Sequence, residues 1–320
     1  MKILIAVSGG VDSVVLLDLL TKKKLEKFTN TISPFSFSDK LAIAHFSHKI
    51  HSLSDVHTKF VEKLAMEYSL DFFSEQARTE LKSEAAARET RYRFLGKIAE
   101  KIGAGTIALA HHADDQAETI FLNLIRGAGL AGLSGMREIS KISTFAKTNL
   151  WRPLLRLPKN KIEKYAQQQN LKFVRDPTNM DKKYARNFLR HEILPQLVKL
   201  NPKINESFLR VAARARECSN FLENFAASFI LKNKVKKSFS LKKFNSLEKV
   251  LACEVLRKIY LSEVGNLQKI EEKHFLEVLA LATNPHGGKR KKFGVLEFRV
   301  ARNANVRVLS WGKSSNTKQK

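Results

Sequence analysis

Six residues near the start of the chain, Ser8-Gly9-Gly10-Val11-Asp12-Ser13, combine the groups that a phosphate needs. They follow the apolar run Ile3-Leu4-Ile5-Ala6-Val7 and precede a helical pattern. A helix opening there presents unpaired N–H groups and a partial positive charge to an anion. Gly9 and Gly10 let the backbone approach closely and take conformations closed to residues with a Cβ. The Ser8 and Ser13 hydroxyls add donors. Asp12 is out of place beside phosphates unless Mg²⁺ accompanies them, so the metal expectation falls on Asp12. A plain strand–turn–helix connection with a serine cap accounts for less of the hexapeptide. The spacing is not that of a Walker A loop, which has a four-residue spacer and a Gly-Lys-[Ser/Thr] ending.

A second constellation, His111-His112-Ala113-Asp114-Asp115-Gln116-Ala117-Glu118-Thr119, comes directly after the apolar run Thr106–Ala110. With a helix starting near Ala113, Asp114 and Glu118 are four apart and Asp115 and Glu118 three apart, so the carboxylates share one face. Three anions beside a phosphate site are costly unless they hold cations or an amine. A general-base role is open to His111 or His112. Capping by Asp114 explains one carboxylate, but not three carboxylates with two histidines.

The elements that must carry these groups alternate. Strands are expected at Ile3–Val7, Leu41–Phe46, Leu70–Phe73 and Thr106–Ala110, and helices at Asp12 to Leu20, Asp55 to Tyr68 and Ser83 to Lys101. Such alternation implies an α/β fold with a parallel sheet covered on both faces. Ligands in such sheets sit at the carboxyl ends of the strands, so the residues after Val7, Phe46 and Ala110 should surround one crevice. From about Leu194 helical periodicity takes over, over Asn205–Leu231 and Ser246–Leu261, while Gly294–Leu309 alternates weakly as strands would. The boundary between a catalytic domain, 1–200, and a smaller, mainly helical basic domain, 201–320, is expected near Leu200. The polar tail Ser314–Lys320 reads as disordered.

The chain of 320 residues carries 57 Lys/Arg against 31 Asp/Glu, a formal net charge of +26. The excess is uneven: residues 1–150 hold 20 basic and 17 acidic side chains, residues 151–320 hold 37 and 14. A surface this basic fits a nucleic acid held through its phosphates. No apolar run approaches the roughly 18 residues of a membrane span, and Met1–Val7 reads as a buried strand, not a signal peptide. Two cysteines, Cys218 and Cys253, supply neither a disulfide framework nor a metal quartet, which fits a reducing cytoplasm.

The hexapeptide resembles the PP-loop of the ATP pyrophosphatase superfamily. Together with His-His-x-x-Asp-Asp-x-x-Glu-Thr it resembles, within that superfamily, the tRNA(Ile)-lysidine synthetase family. Further matches are Ala87-Arg88-x-x-Arg91-Tyr92, Arg126-Gly127-Ala128-Gly129-Leu130, Gly132-Leu133-Ser134-Gly135-Met136, Arg152-Pro153-Leu154-Leu155, Asp176-Pro177-Thr178-Asn179 and Arg186-Asn187-x-x-Arg190. The resemblance covers residues 3 to 200 and is weaker beyond, where the second half looks like that family's helical domain, ending around Gly287-Gly288 and Gly294-Val295-Leu296. Longer members carry an additional C-terminal domain, for which this chain is expected to be too short.

The resemblance implies two steps. The C2 carbonyl oxygen of a wobble cytidine attacks the α-phosphate of ATP and releases pyrophosphate. The ε-amine of L-lysine then attacks C2 and expels AMP. The substrates would be ATP with Mg²⁺, L-lysine and the CAU-anticodon tRNA(Ile); a homodimer is left open. Carried over, Ser8 to Ser13 bind ATP, and Asp115 and Glu118 hold the lysine. Asp12, His111 and Arg186 complete the catalytic set. Arg88, Arg91, Arg126 and Arg190 contact tRNA or its phosphates. Three rivals are weaker. An RNA thiolase needs reactive or cluster-ligating cysteines near the nucleotide, a silent RNA binder needs no Asp12, and a small-molecule amidating synthetase leaves the basic half unexplained. Gly127–Gly132 matches G-x-G-x-x-G but follows a helix, so it is expected as a flexible loop over the site and not a dinucleotide fingerprint. The block Lys289-Arg290-Lys291-Lys292 is either a phosphate contact or a solvated turn.

Overall fold

The apolar run at the start becomes β1 (Lys2–Ala6), whose three central residues are buried. The next helix, α1 (Val11–Thr21), is buried from Ser13 through Leu20 with no solvent face. Its one charged residue in that span, Asp18, is therefore held by three partners: the hydroxyls of Tyr68 and Tyr165, each 2.7 Å away, and Lys22 at 2.7 Å. The computed structural model describes residues 2–31, 40–47, 54–77, 84–142, 145–176, 180–267, 270–284, 290–303 and 306–314.

After α1 come α2 (Leu25–Thr29), β2 (Lys40–Ser47), α3 (Ser54–Glu67), β3 (Asp71–Gln76), α4 (Glu84–Ile102), β4 (Ala104–Ala108), α5 (Ala113–Ile125) and α6 (Leu130–Leu133). Then follow β5 (Ile139–Ile142), β6 (Phe145–Trp151), α7 (Lys159–Gln168), α8 (Ala185–Phe188), a π-helical turn over Leu189–Ile193, α9 (Leu194–Leu200) and α10 (Ile204–Asn233). The strands form one sheet in the order β3-β2-β1-β4-β6-β5, all parallel except β5, which runs antiparallel to β6. The expected α/β architecture is thus present, extended by β5 and β6. One apolar layer packs α1, α3 and α7 on one face, and another packs α4 on the other. The chain leaves β1 toward β2 and β3, then returns to add β4 on the opposite side. That reversal opens a crevice at the carboxyl ends of β1 and β4.

Backbone packing divides the chain into residues 1–215 and 216–320, so the divide falls inside α10, beyond the boundary expected near Leu200. The second unit contains β7 (Ser238–Ser240), α11 (Leu241–Asn245), α12 (Lys249–Val264), α13 (Glu272–Thr283), β8 (Arg290–Phe293), β9 (Leu296–Asn303) and β10 (Val306–Lys313). It is mainly helical. The weak alternation after Gly294 becomes two strands of a four-stranded antiparallel sheet, β7-β10-β9-β8. Its aromatic core gathers Phe239, Phe244, Phe275, Phe298 and Trp311. Among the described residues no helix is long and apolar enough to cross a membrane. Gly287-Gly288, Lys289 and all of the tail after Ser314 lie outside the described residues, as do Pro177, Thr178 and Asn179.

Candidate active site

The crevice holds a cavity of about 940 Å³, lined by residues that follow β1 and β4 and by Ala44 and Phe46 within β2, while the residues directly after β2 lie outside the described ones. At its floor the loop folds on itself. The Ser8 N–H donates to Ser13 Oγ at 3.2 Å, the Gly10 N–H to Ser8 Oγ at 3.3 Å, and Ser13 Oγ donates to the Gly10 carbonyl at 2.9 Å. Gly9 has φ +91°, and a Cβ there would meet Val174 at 2.8 Å, so both conformation and space demand glycine. Gly10 precedes α1 with no side-chain cap, leaving the helix start open to a ligand. Ser8, Gly10, Asp12 and Ser13 line the cavity; Val11 packs against the core below.

Asp12 does not stand alone. Lys159, the first residue of α7, places Nζ 2.6 and 2.7 Å from its two carboxylate oxygens. His112 Nε2 lies 3.8 Å from the same carboxylate. Among the described residues no group of three or more His, Cys, Asp or Glu is arranged to hold a metal by itself.

The start of α5 carries the acidic cluster to the cavity wall. The Asp115 carboxylate accepts from the His112 N–H at 3.0 Å, closing the first turn of the helix. Arg190 donates from Nε to Glu118 Oε1 at 2.6 Å and from Nη2 to Glu118 Oε2 at 3.0 Å and Asp115 Oδ1 at 3.2 Å. Arg186 Nε lies 3.6 Å from Glu118. Asn205 donates to Asp114 at 2.9 Å. Burial pushes the Glu118 carboxyl above its ordinary value despite Arg190. Burial also acts to raise Asp115, but the adjacent histidines, the His112 N–H and Arg190 outweigh it and hold that carboxyl low.

The cavity also carries a group of cations. Arg88 and Arg91 on α4 face the cavity, and both guanidiniums stack on Tyr92, at 4.9 and 5.6 Å from the ring centre. Behind them Arg152 is buried, donating to the Arg137 carbonyl and to Ser140 Oγ. Burial, with the charges of Arg91, Arg152 and Arg186, lowers the Arg88 guanidinium. Burial likewise depresses His111 well below the imidazole range, against the pull of Asp115 and with the push of Arg91, Arg152 and Arg88. Its Nδ1 is buried without a hydrogen-bond partner among the described residues. A wall of arginines around a neutral histidine is built for an incoming anion.

The fold therefore gathers Ser8, Gly10, Asp12, Ser13, His111, Asp115, Glu118, Arg88, Arg91, Arg186 and Arg190 around one cavity. Arg126 is exposed just past the end of α5 and does not line it. The glycine segment 127–132 is not a loop over the site. It turns into α6, is pinned by Asn123 Nδ2 on the Gly132 carbonyl at 2.8 Å, and contributes no lining residue. Lys159 was missed. The signal available for it was Pro158 ahead of a helical pattern after an apolar stretch, since helix starts in such sheets lie at the ligand edge.

A profile of the PP-loop domain matches residues 1–197. The chain is similar to the tRNA(Ile)-lysidine synthase of Geobacter sulfurreducens, 39% identical over 219 residues, covering 66% of this chain and 43% of that one. It is 36% identical over 230 residues to the enzyme of that name from Thermosipho africanus, covering 70% and 50%. It is 35% identical over 280 residues to that from Nitrosomonas europaea, covering 85% and 58%. The chain spans about half the length of these curated relatives. Among solved structures, the U34-tRNA thiolase NcsA from Methanococcus maripaludis with its [4Fe-4S] cluster shares the fold, with a TM-score of 0.52 at 20% identity over 68% of this chain and 72% of that one.

Proposed function

The chain belongs to the PP-loop domain family, and from that membership we propose that it is a tRNA(Ile)-lysidine synthetase, joining L-lysine to C2 of the wobble cytidine in the CAU-anticodon tRNA(Ile) at the expense of ATP. One observation carries this reading above the others. A single cavity combines an open phosphate loop, a buried acidic pair already bound to a cationic side chain, and the guanidiniums of Arg88 and Arg91.

Each part has work in such a reaction. The loop N–H groups and the serine hydroxyls hold the β and γ phosphates, leaving the α-phosphate exposed to attack. The cytidine C2 oxygen bonds to that phosphorus, and the bond to the α,β-bridging oxygen breaks with its electron pair leaving on pyrophosphate. Arg88 and Arg91 engage the RNA backbone at the cytidine, and neutral His111 stands ready to accept a proton from the attacking amine. Asp115 and Glu118 take the lysine ammonium in place of Arg190, which is freed toward the adenylated intermediate. Asp12 fits a Mg²⁺ ion that shares its coordination with phosphates, since one carboxylate and substrate oxygens are its usual ligands; the ion would supply charge to the triphosphate. The basic residues 201–320 bind the body of the tRNA, in the cytoplasm where such an RNA is charged.

The tRNA thiolase of similar fold makes sulfur transfer the alternative. No cysteine lines the cavity among the described residues, and Cys218 and Cys253 both lie in the second unit. ATP–pyrophosphate exchange with and without tRNA and lysine tests the reading. Exchange that needs tRNA and not lysine, with lysine then entering the RNA, is the expected result. Exchange indifferent to tRNA, or sulfur incorporation, would refute it.

A further inference from the structure

We propose that Lys159 is a catalytic residue of the adenylation step, held by Asp12 until ATP enters the loop and then passed to its phosphates. This rests on the adenylating reading above. The ammonium sits 2.6 Å and 2.7 Å from the Asp12 oxygens, in the same cavity floor as Ser8, Gly10 and Ser13. A triphosphate on the loop thus lies within reach of a flexible four-carbon stem.

The fold places this side chain firmly. Asp12 and Asp18 are six residues apart on α1, and Lys159 and Tyr165 are six apart on α7. The two helices meet through both pairs, Lys159 on Asp12 and the Tyr165 hydroxyl on Asp18 at 2.7 Å, with Ile162 and Ala166 buried between. The deep pair already fixes the helices. The outer pair is partly exposed, at 29% for Lys159 and 26% for Asp12, and exposed ion pairs contribute little to stability.

Position argues against a purely structural role as well. Lys159 opens α7, and its ammonium lies beside the start of α1, so it faces the positive ends of two helices. A cation is tolerated there only with an anion beside it. Asp12 supplies one negative charge, and a triphosphate supplies several. On binding, the ammonium gains by leaving a carboxylate for phosphate oxygens, and Asp12 becomes available to the Mg²⁺ that accompanies ATP. As the bond between the α-phosphorus and the bridging oxygen breaks, charge collects on pyrophosphate. Lys159 meets it with hydrogen bonds and keeps its own proton throughout.

The test uses the full chain with tRNA. Removal of one such donor costs roughly 100- to 1,000-fold in rate, so Lys159→Met should slow tRNA-dependent exchange by about that factor. It should also raise the pyrophosphate concentration needed for half-maximal exchange, with RNA affinity and melting temperature unchanged. Lys159→Arg should recover part of the rate. Lys159→Gln keeps a hydrogen bond to Asp12 without the charge. If it folds normally and still fails in exchange, the charge is what matters; if it exchanges like the natural chain, the proposal is overturned. An unaltered pyrophosphate requirement in Lys159→Met also overturns it. Absence of exchange in the natural chain itself is a different result, and removes the adenylating reading together with this one.

Discussion

Arg190 closes on Glu118 with two parallel hydrogen bonds, 2.6 Å and 3.0 Å, and reaches Asp115 with the same guanidinium at 3.2 Å. Glu118 is wholly buried, so its charge depends on that cation. Breaking a buried pair by removing one partner costs about 3–5 kcal/mol, and the lower end applies because Arg190 is itself 35% exposed. Arg190→Ala should therefore destabilise the fold, and the deficit should depend on pH. A buried carboxyl with a raised pKa holds its proton in the folded state, so its stabilising contribution is full at acid pH and disappears as pH rises through the folded value. The loss should be smaller at pH 5 than at pH 8 by urea unfolding. An equal loss at both would show that Glu118 is not the group left stranded.

His111 should stay neutral through the ordinary histidine range. Burial is the first cause and the surrounding arginines add to it. Imidazole chemical shifts should show His111 uncharged at pH 6 in the folded protein, where exposed histidines are substantially charged. The unfolded chain takes up that proton near the ordinary value of 6.5, so this histidine costs stability as pH falls below it. Titration of His111 at the ordinary value would show that burial and the arginines do not govern its charge.

Asp18 makes a separate prediction about the scaffold. Burial acts to raise its carboxyl, and Lys22, Tyr68 and Tyr165 together bring it below the usual range. A depressed carboxyl stabilises the fold above the unfolded pKa, about 3.9, and that support is lost as pH falls through the folded value. Tyr165→Phe removes one hydrogen bond to a charge and should cost roughly 1.5–3 kcal/mol at neutral pH. Denaturant unfolding measures it. A neutral effect would mean that Lys22 and Tyr68 hold Asp18 alone.

The loop, β1, β2, β4 and α5 were legible because their signals are local: an apolar run, two glycines, carboxylates at helical spacing. The partners of those groups were not. Lys159 meets Asp12 across 147 residues of sequence, and Arg190 meets Glu118 across 72, so no window contains either pair. Arginine suits phosphate and carboxylate alike, which is why Arg190 read as an RNA contact when in this structure it neutralises the acidic pair. The glycine segment 127–132 misled for a related reason. Its restraint comes from Asn123, and Gln116 staples Met136 with bonds of 3.0 Å and 2.7 Å, neither visible as a pattern. In the second unit the alternation Leu296, Phe298, Val300 was visible, and these are buried apolar residues of β9, with Glu297 buried between them.

Binding of tRNA should weaken steeply with salt. The 37 basic side chains of residues 151–320 outnumber 14 acidic ones, and each phosphate contact releases counterions. The log–log slope of affinity against salt should be several units. A slope near zero would mean that the charge does not engage RNA.

The two chemical steps can be separated at Asp115 and Glu118. Both carboxylates project from one face of α5 beside the loop, and in this structure both are occupied by Arg190. If lysine replaces that guanidinium, neutralising either carboxylate removes a charge-assisted bond to a desolvated ammonium. Such losses run to roughly 2–5 kcal/mol, or about 30-fold to several thousandfold. Attack on the α-phosphate does not involve lysine. Asp115→Asn and Glu118→Gln should therefore still form adenylated RNA, stall before AMP release, and recover in part at raised lysine. Quenched-flow separation of pyrophosphate release from AMP release reads the two steps directly. Loss of both steps together would reassign the pair to the fold or to the metal. A defect confined to the second step, relieved by lysine and by no other amine, would establish what the acidic pair is for.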